Sequence, residues 1–414
     1  MKFPSGVKGV IGVAGANAFS AFFLATAMPF LSRLYPPDAF GIFGIIMPFI
    51  VIVGAILPFG SDKLVLTEKS DDYLLPLIFR GFVFSIVGSL IILIILNSLA
   101  SFLPDSVLLG ESNILLVFLG LIAVSILNLL INWNIKVGSE FLIGLSRVIQ
   151  AILTITFQYL FSEYVYGLLI GFVLGTFGGV SVLLLSKYFW KNILLLERKT
   201  YFSQIGLNYD CSNNFFGFKY SSIVLLNNAN NIILPFFIMI YYGAQEAGFY
   251  HLAVRIFSLP NSVLGKYVGD RFIADVSCSN IKDIKIKNEF WGYTRPLIII
   301  SVLSCIFITI IPGNAWVTLF GERWNGIHFS IISVALWQLS YFAFSTVRFE
   351  LKRKLTIGLK LSVLRSITTV LIILSAWCIN FSYEMFLTAF VISSLILQIL
   401  KIKVFSNVYL TNYT

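Results

Sequence analysis

Five basic side chains lie inside long apolar stretches of this sequence, where a charge is costly. At the centre of a bilayer a charge costs at least about 2.5 kcal/mol, so such residues usually face a protein interior or a wet cavity and have a function. No carboxylate lies near the middle of any of these stretches. A cavity lined by Arg and Lys without acids attracts anions, and the guanidinium of Arg matches a phosphate with two hydrogen bonds. The five are Arg80, Arg147, Arg255, Lys266 and Arg365.

Arg147 is one of two basic positions in these stretches that begin a polar stripe. Arg147, Gln150, Thr154 and Gln158 follow one another at steps of three, four and four residues, which places them on one face of an α-helix. An arginine beside amides and a hydroxyl suits an anion that also carries hydroxyl groups. We therefore predict that Arg147 and Gln150 contact a ligand.

A second stripe follows the same helical spacing in the stretch 247–270. It consists of Arg255, Ser258, Ser262 and Lys266. The two basic residues would stand about 16 Å apart along a helix and would mark two depths of one ligand path. Pro260 lies between them and predicts a kink. We predict ligand contacts for Arg255 and Lys266.

The remaining polar groups admit two interpretations each. Asparagines cluster before Pro235, and a weaker polar patch with Asn17 lies in the first apolar stretch. Amides in lipid need partners, so these side chains would bind either sugar hydroxyls or other helices. Arg80 and Arg365 would either bind substrate or extend to phosphate headgroups at the cytoplasmic surface. The clustered asparagines are Asn227, Asn228, Asn230 and Asn231.

Motifs of nucleotide, hydrolase and metal chemistry are absent from the sequence. It contains no G-x-x-x-x-G-K-[ST] phosphate cradle, no H-E-x-x-H and no G-x-S-x-G. Its four cysteines are scattered without a C-x-x-C pair, and His251 and His328 are far apart, which favours packing roles. We therefore predict that the protein is not an enzyme and needs no cofactor or metal.

The composition identifies the class of protein that must position these residues. Of 414 residues, 58% are hydrophobic and 12% are charged, whereas soluble domains carry about 25% charge. This excludes a large water-facing domain and predicts a polytopic membrane protein. The net charge of +10 fits cytoplasmic loops rather than a nucleic-acid partner.

Twelve apolar segments are long enough to approach the roughly 20 residues that a transmembrane helix needs. Uninterrupted runs such as Ile86–Leu96 favour helices over barrel strands, which alternate. The first segment is longer than a signal-peptide core, so we predict an uncleaved helix. The segments are 9–31, 39–60, 74–102, 114–133, 140–161, 165–187, 220–242, 247–270, 296–312, 327–347, 357–379 and 384–405.

The loop charges predict the orientation. With both termini in the cytoplasm, nearly all Lys and Arg of the loops lie on the cytoplasmic side, and the opposite side holds Arg33 and Arg323 alone. Basic residues collect in cytoplasmic loops of membrane proteins. We therefore expect a multi-pass membrane protein with cytoplasmic N- and C-termini.

The longest polar interruption divides the segments into six and six. We predict an N-terminal lobe over 1–190, a cytoplasmic linker over 191–218 and a C-terminal lobe over 219–414. Two equal halves around a central cavity are typical of transporters that work by alternating access. Gly171, Gly175 and Gly179 form a small-residue stripe that predicts close helix packing.

Two stretches of sequence resemble a known family. Arg33-Leu34-Tyr35-Pro36-Pro37-Asp38-Ala39-Phe40-Gly41 resembles the turn between the first two helices of bacterial polysaccharide flippases. Ala247-Gly248-Phe249-Tyr250-His251-Leu252-Ala253-Val254-Arg255, continuing to Pro260, resembles their eighth helix. Weaker matches are Asp62-Lys63-Leu64-Val65-Leu66 and Leu145-Ser146-Arg147-Val148-Ile149-Gln150. The family is the Wzx-type O-antigen flippases of the multidrug/oligosaccharidyl-lipid/polysaccharide exporter superfamily.

This resemblance implies a fold, a substrate and partners. The fold would have two six-helix lobes around a cationic cavity. The substrate would be an undecaprenyl-diphosphate-linked oligosaccharide, such as an O-antigen repeat unit of lipopolysaccharide, moved from the cytoplasmic to the periplasmic leaflet. Its diphosphate would meet Arg and Lys, and its glycan would meet Asn, Gln, Ser and Tyr. The protein would lie in the bacterial inner membrane. Membrane lipids and other polysaccharide assembly proteins would be further partners.

Three other functions compete with this one. A cation-coupled drug exporter of the same superfamily would need acidic groups, which the middles of the segments lack. A long extracytoplasmic loop would favour a membrane glycan polymerase, but the longest predicted one, Gly313–Gly326, is short. A scaffold in an assembly complex would tolerate the loss of Arg255.

Overall fold

The structure, a computed structural model, describes residues 5–67, 71–102, 111–186, 211–277, 283–347 and 355–409. These residues form helices joined by short turns and contain no β-strand. Helix coincides with each of the twelve predicted segments. The prediction of an all-α protein is therefore confirmed.

The first half of the described chain contains helices α1 to α8. They are α1 Ser5–Thr26, α2 Met28–Leu34, α3 Pro37–Ile56, α4 Ser61–Thr67, α5 Asp71–Phe102, α6 Glu111–Lys136, α7 Glu140–Leu160 and α8 Gly167–Leu184. The short helices α2 and α4 were not predicted. A helix of two turns is too short to show a repeating apolar pattern, so the sequence signal for it is weak.

The second half contains helices α9 to α16 and two short helical segments. They are α9 Cys211–Tyr242, α10 Ala244–Phe257, the π-helix Asn261–Gly265, α11 Lys266–Ser277, α12 Asp283–Ile310, α13 Gly313–Phe320, the 3-10 helix Glu322–Trp324, α14 Ile327–Ala343, α15 Leu355–Ile379 and α16 Tyr383–Tyr409. The loop predicted over Gly313–Gly326 is thus largely helical.

Among the described residues, nine helical segments are long and apolar enough to cross a membrane. A further apolar helix, Ile327–Ala343, is shorter. The two other predicted spans correspond to α9 and to the interrupted helix 244–277. Length and composition therefore fit a multi-pass membrane protein.

The chain divides into two compact units. Unit 1 consists of Met1–Ala27 and Ile42–Asn228, and unit 2 consists of Met28–Gly41 and Ala229–Thr414. The segment Met28–Gly41, from the first half of the sequence, thus belongs with the second half. The predicted linker 191–218 lies largely outside the described residues, so the lobe limits at 190 and 219 stay a prediction.

In unit 1, helices α7 and α8 pack closely together along the glycine stripe of α8. A Cβ atom at Gly175 would lie 2.8 Å from the backbone nitrogen of Thr154. One turn away, a Cβ at Gly171 would lie 2.6 Å from the backbone nitrogen of Gln158. The Ser146 hydroxyl donates a hydrogen bond to the Gly179 carbonyl at 2.8 Å. The glycines therefore let α7 approach the backbone of α8, as predicted for small-residue stripes.

In unit 2, the two sequence motifs that carry the family resemblance pack against each other. A Cβ at Gly248 would overlap the Pro37 carbonyl oxygen and lie 2.6 Å from its carbon. A Cβ at Gly41 would likewise overlap the carbonyl oxygen of Ala244. The two motifs are more than 200 residues apart in the sequence, and in the fold they contact each other at Gly41 and Gly248.

Trp324 completes this contact between the motifs. Its ring is 5.1 Å from the Phe40 ring and 5.9 Å from the Phe249 ring, measured between centroids. Its indole Nε1 donates a hydrogen bond to the Ser32 carbonyl at 2.7 Å. Arg33 donates to the Thr318 carbonyl at 2.9 Å. Each motif therefore depends on the segment 318–324 for part of its packing.

The eighth predicted span is not one regular α-helix. It turns at Ser258, continues as the π-helix Asn261–Gly265 and resumes as α11. A π-helix changes the number of residues per turn, so the common face predicted for Arg255 and Lys266 from α-helical spacing does not follow. The kink predicted at Pro260 is confirmed as an interruption of the helix.

Replacing Gly248 by Ala should destabilise unit 2, because the added methyl group overlaps backbone atoms that cannot rotate away. Overpacking of this kind costs about 1–3 kcal/mol. Gly292→Ala is the matched control, since a Cβ there meets nothing within 4 Å. We expect thermal unfolding of the purified protein to show a lower midpoint for Gly248→Ala and an unchanged or higher one for Gly292→Ala. Equal midpoints would contradict the close approach.

Candidate functional site

The predicted ligand residues of unit 1 centre on Arg147, two turns into α7. Its Nη1 donates a hydrogen bond to Oε1 of Gln150 at 3.2 Å. The amide nitrogen of Gln150 donates in turn to the hydroxyl of Thr176 at 3.3 Å. The Thr176 hydroxyl donates to the Phe172 carbonyl at 2.7 Å, which orients the chain of donors. Arg147 is therefore held by a neutral amide that is itself anchored on α8.

The rest of the predicted stripe serves helix packing. Thr154 and Gln158 are buried between α7 and the glycines of α8. The Gln158 amide donates to the Leu168 carbonyl at 2.9 Å. The stripe is thus partly structural: its outer members fix α7 on α8, and Arg147 with Gln150 is half-buried at its other end.

Arg80 is a buried cation of unit 1, with 9% of its surface exposed. Its guanidinium carbon lies 5.1 Å from the centre of the Phe84 ring, one turn further along α5. This distance is within the range of a cation–π interaction. The Nε and Nη1 atoms of Arg80 are buried, so most of its guanidinium is packed inside unit 1.

Asp62, at the start of α4, is a buried acid. From the sequence we predicted only that it lies at the end of a helix. Its Oδ2 accepts a hydrogen bond from the Asn132 amide at 3.0 Å and lies 3.5 Å from the Lys63 ammonium. Its Oδ1 is buried without a hydrogen bond. Burial raises the pKa of this carboxyl, and the Lys63 charge opposes that effect. Asp62 and Lys63 lie between the predicted spans 39–60 and 74–102, whereas Asn132 lies within the span 114–133.

In unit 2, the structure separates Arg255 from Lys266. Arg255 is half-buried in the last turn of α10, with its Nη1 atom buried. Lys266 is exposed at the start of α11, beyond the π-helix. The two residues therefore belong to different elements and different environments.

The predicted amides are also dispersed. Asn231 in α9 and Asn17 in α1 are exposed, whereas Asn230 is buried. The amide of Asn228 donates to the Val224 carbonyl of its own helix at 2.9 Å. The side chain of Asn227 lies outside the described ones. Of the eight predicted ligand residues, the structure shows Arg147 and Gln150 joined directly.

Sequence reasoning missed the residue that anchors this pair. Thr176 holds Gln150 from α8, and no spacing within one helix could indicate a partner on another. The glycine stripe of α8 was the one indication in the sequence that α8 approaches another helix closely. A helix that approaches so closely contacts the polar groups of its neighbour.

Comparison with solved structures defines the class of fold. The chain is similar to an inward-facing multidrug resistance MATE transporter of the MOP superfamily, with a TM-score of 0.66 and 15% identity over 97% of this chain and 100% of that one. It is similar to the lipid II flippase MurJ in an inward closed conformation, with a TM-score of 0.65 and 15% identity over 98% and 93%. A MOP transporter from Pyrococcus furiosus aligns with a TM-score of 0.50 and 12% identity over 99% of each chain. The protein therefore has the same helical fold as these transporters.

The family follows from the sequence. The family described as polysaccharide biosynthesis protein matches residues 30–329, which is more than half of the chain. The chain therefore belongs to the polysaccharide biosynthesis protein family. Curated protein sequences contain no match to it. The resemblance drawn from the two motifs is confirmed at the level of the family, and the fold agrees with it.

The raised pKa of Asp62 predicts a pH-dependent effect on stability. A carboxyl with a higher pKa in the folded state contributes most stability below its unfolded pKa, and that contribution is lost as the pH rises through the folded pKa. Asp62→Asn keeps an acceptor for Asn132 and removes the charge. We expect the thermal midpoint at pH 7.5 to rise by about 1–2 °C and to match the wild type near pH 4.

Glu163→Gln is the matched control for this experiment, because Glu163 is an exposed acid of the same unit. It should leave the midpoint unchanged at both pH values. A midpoint for Asp62→Asn that falls at pH 7.5 would show that the ionised carboxylate stabilises the fold, and would contradict a destabilising effect of its burial.

Proposed function

We propose that the protein is a flippase for an undecaprenyl-diphosphate-linked oligosaccharide, such as an O-antigen repeat unit, and moves it from the cytoplasmic to the periplasmic leaflet. Arg147 and Arg255 contribute positive charge for the diphosphate. Gln150 orients Arg147 and offers hydrogen bonds to the glycan. No cofactor takes part, and the proposed protein partners are other components of polysaccharide assembly.

The observation that carries this proposal is the environment of Arg147. Its Cα atom lies about 10 Å along α7 from the start of that helix, and its guanidinium is held by the neutral Gln150. Within the described residues it forms no ion pair. A half-buried cation without a counter-ion is costly in a membrane, and a diphosphate supplies both the charge and the acceptor atoms.

Family and fold support the same conclusion. Membership in the polysaccharide biosynthesis protein family indicates a glycan pathway, and the flippase MurJ is a lipid II flippase by its own description. Lipid-linked glycans share an anionic phosphate bridge, so a cation within the spans suits such a substrate. A cationic drug would instead need a carboxylate at the corresponding place.

The proposed location is the bacterial inner membrane, with both termini in the cytoplasm. Asn288 and Glu322 flank the predicted span 296–312, and both are exposed. In a background without native cysteines, Glu322→Cys should react with an impermeant thiol reagent in spheroplasts. Asn288→Cys should react only after permeabilisation, because the basic loop before it is retained in the cytoplasm. Reaction of both from outside would contradict the orientation.

Loss of either arginine should reduce surface polysaccharide in a flippase-deficient strain. A charge-assisted hydrogen bond contributes about 1.5–3 kcal/mol, so Arg147→Ala and Arg255→Ala should each lower the transport rate roughly tenfold or more. The readout is surface polysaccharide at matched, limiting membrane abundance. Arg147→Lys and Arg255→Lys should keep part of the activity, because the charge stays while the planar fork is lost.

Thr156→Val provides the matched control on α7. Thr156 is exposed and bonds only within its own helix, to the Ile152 carbonyl. The variant should complement fully. If both alanine variants restored polysaccharide as well as Thr156→Val, the proposed role of the arginines would be wrong.

A further inference from the structure

Arg365 of α15 lies on the inner face of its helix in unit 2. Leu364, Ile367 and Leu371 form the exposed face of α15. Thr369, one turn beyond Arg365, is 3% exposed. Arg365 stands about 15 Å from the start of α15 at 1.5 Å per residue. Its side chain therefore points away from the exposed face and lies well within the helix.

Two aromatic side chains of α14 hold the guanidinium of Arg365. Its central carbon lies 5.1 Å from the centre of the Tyr341 ring and 6.0 Å from the centre of the Trp337 ring. Both distances are within the range of cation–π interactions. Trp337 is in turn stacked on Tyr250, at 6.4 Å between ring centroids, and meets Phe390 at 5.0 Å. Arg365 thus rests on a rigid aromatic cluster.

This cluster contains two buried donors that have no acceptor. The Nε atom of Arg365 and the indole Nε1 atom of Trp337 are both buried and without a hydrogen bond. Arg365 forms no ion pair within the described chain. A buried donor left unsatisfied costs about 1–3 kcal/mol, and aromatic faces compensate the charge without supplying an acceptor. The aromatic rings therefore stabilise the positive charge of Arg365, but the two buried donors still lack acceptors.

We propose that Arg365 and Trp337 form a second oxyanion-binding site in unit 2, which takes the diphosphate of the lipid-linked substrate. An oxyanion supplies several acceptor oxygens and the missing negative charge. Arg365 binds the oxyanion, Trp337 contributes its indole N–H, and the ring of Tyr341 positions the guanidinium. This inference rests on the proposed function, because it names a further residue that recognises the same substrate.

The test measures binding of undecaprenyl diphosphate and undecaprenol to the full chain in phosphatidylcholine nanodiscs. Undecaprenol lacks the oxyanion, so the ratio of the two affinities isolates the contribution of the phosphates. Arg365→Ala should reduce this ratio at least tenfold, which corresponds to about 1.4 kcal/mol. Trp337→Phe keeps an aromatic face, although a smaller one, and removes the N–H, and should reduce the ratio about threefold. Arg365→Lys should fall between wild type and Arg365→Ala, because it keeps the charge without the planar stack.

Lys360→Ala is the matched control, because it removes an exposed positive charge from the same helix. Its ratio should stay within twofold of the wild type. A purely structural role of the cluster would weaken both lipids equally and leave the ratio unchanged, which would overturn the proposal. If Arg365→Ala fails to fold, Trp337→Phe and Arg365→Lys carry the same test.

Three further outcomes distinguish the source of the oxyanion and show which of the two proposals fails. If Arg365→Ala loses retention of phosphatidylglycerol in native mass spectrometry while the undecaprenyl diphosphate ratio stays at the wild-type value, Arg365 binds headgroups and the proposal is wrong. If the wild type binds both undecaprenyl lipids equally, the proposed function fails. If the wild type prefers the diphosphate and the Arg365 variants keep that preference, the second site alone is wrong.

Discussion

The cost of placing a guanidinium in a bilayer is the constraint on which the rest of this structure depends. Each cation has to be compensated inside the protein, because lipid offers neither water nor counter-ions. Arg147 is held by the amide of Gln150, and Arg365 by aromatic rings. Amides and rings hold a positive charge without cancelling it. These two cations are therefore kept in place by neutral groups.

Backbone contacts through glycine provide the rigidity that this compensation needs. The glycines of α8 bring the backbone of α7 close enough for Thr176 to orient Gln150, and Gln150 in turn orients Arg147. In unit 2, Gly41 and Gly248 allow the segment 28–41 to pack closely against α10. Small residues at helix interfaces are a general means of packing in membranes, where no hydrophobic force draws helices together. In this protein the same contacts also position polar side chains.

The fold was largely predictable from the sequence, because a transmembrane helix leaves a long apolar segment that needs no tertiary information. The short helices α2, α4 and α13 were missed, since two turns carry no such signal. The π-helix was also missed: Pro260 predicted an interruption but not its form. Gly265, at the end of the π-helix, leaves little room for a side chain beside Ser345 and Phe342, and a single sequence does not reveal such neighbours. The exchange of the segment 28–41 into unit 2 likewise arises from long-range packing around Trp324.

The candidate site was predictable only in part. Helical spacing brought Arg147 and Gln150 together correctly, because both lie on one regular helix. The same rule failed for Arg255 and Lys266, because the helix between them is interrupted. Thr176, Trp337 and Tyr341 each act on a residue of a different helix, and a single sequence contains no record of which helices meet.

The central claim is that the protein moves a lipid-linked oligosaccharide across a bilayer. The most direct measurement is the translocation of an undecaprenyl-diphosphate-linked oligosaccharide in proteoliposomes that contain only the purified chain. A membrane-impermeant glycosidase or lectin would report how much of the substrate reaches the opposite leaflet over time. The account predicts translocation that requires the diphosphate and proceeds without ATP. Translocation no faster than in protein-free liposomes, under every imposed ion gradient and membrane potential, would contradict it.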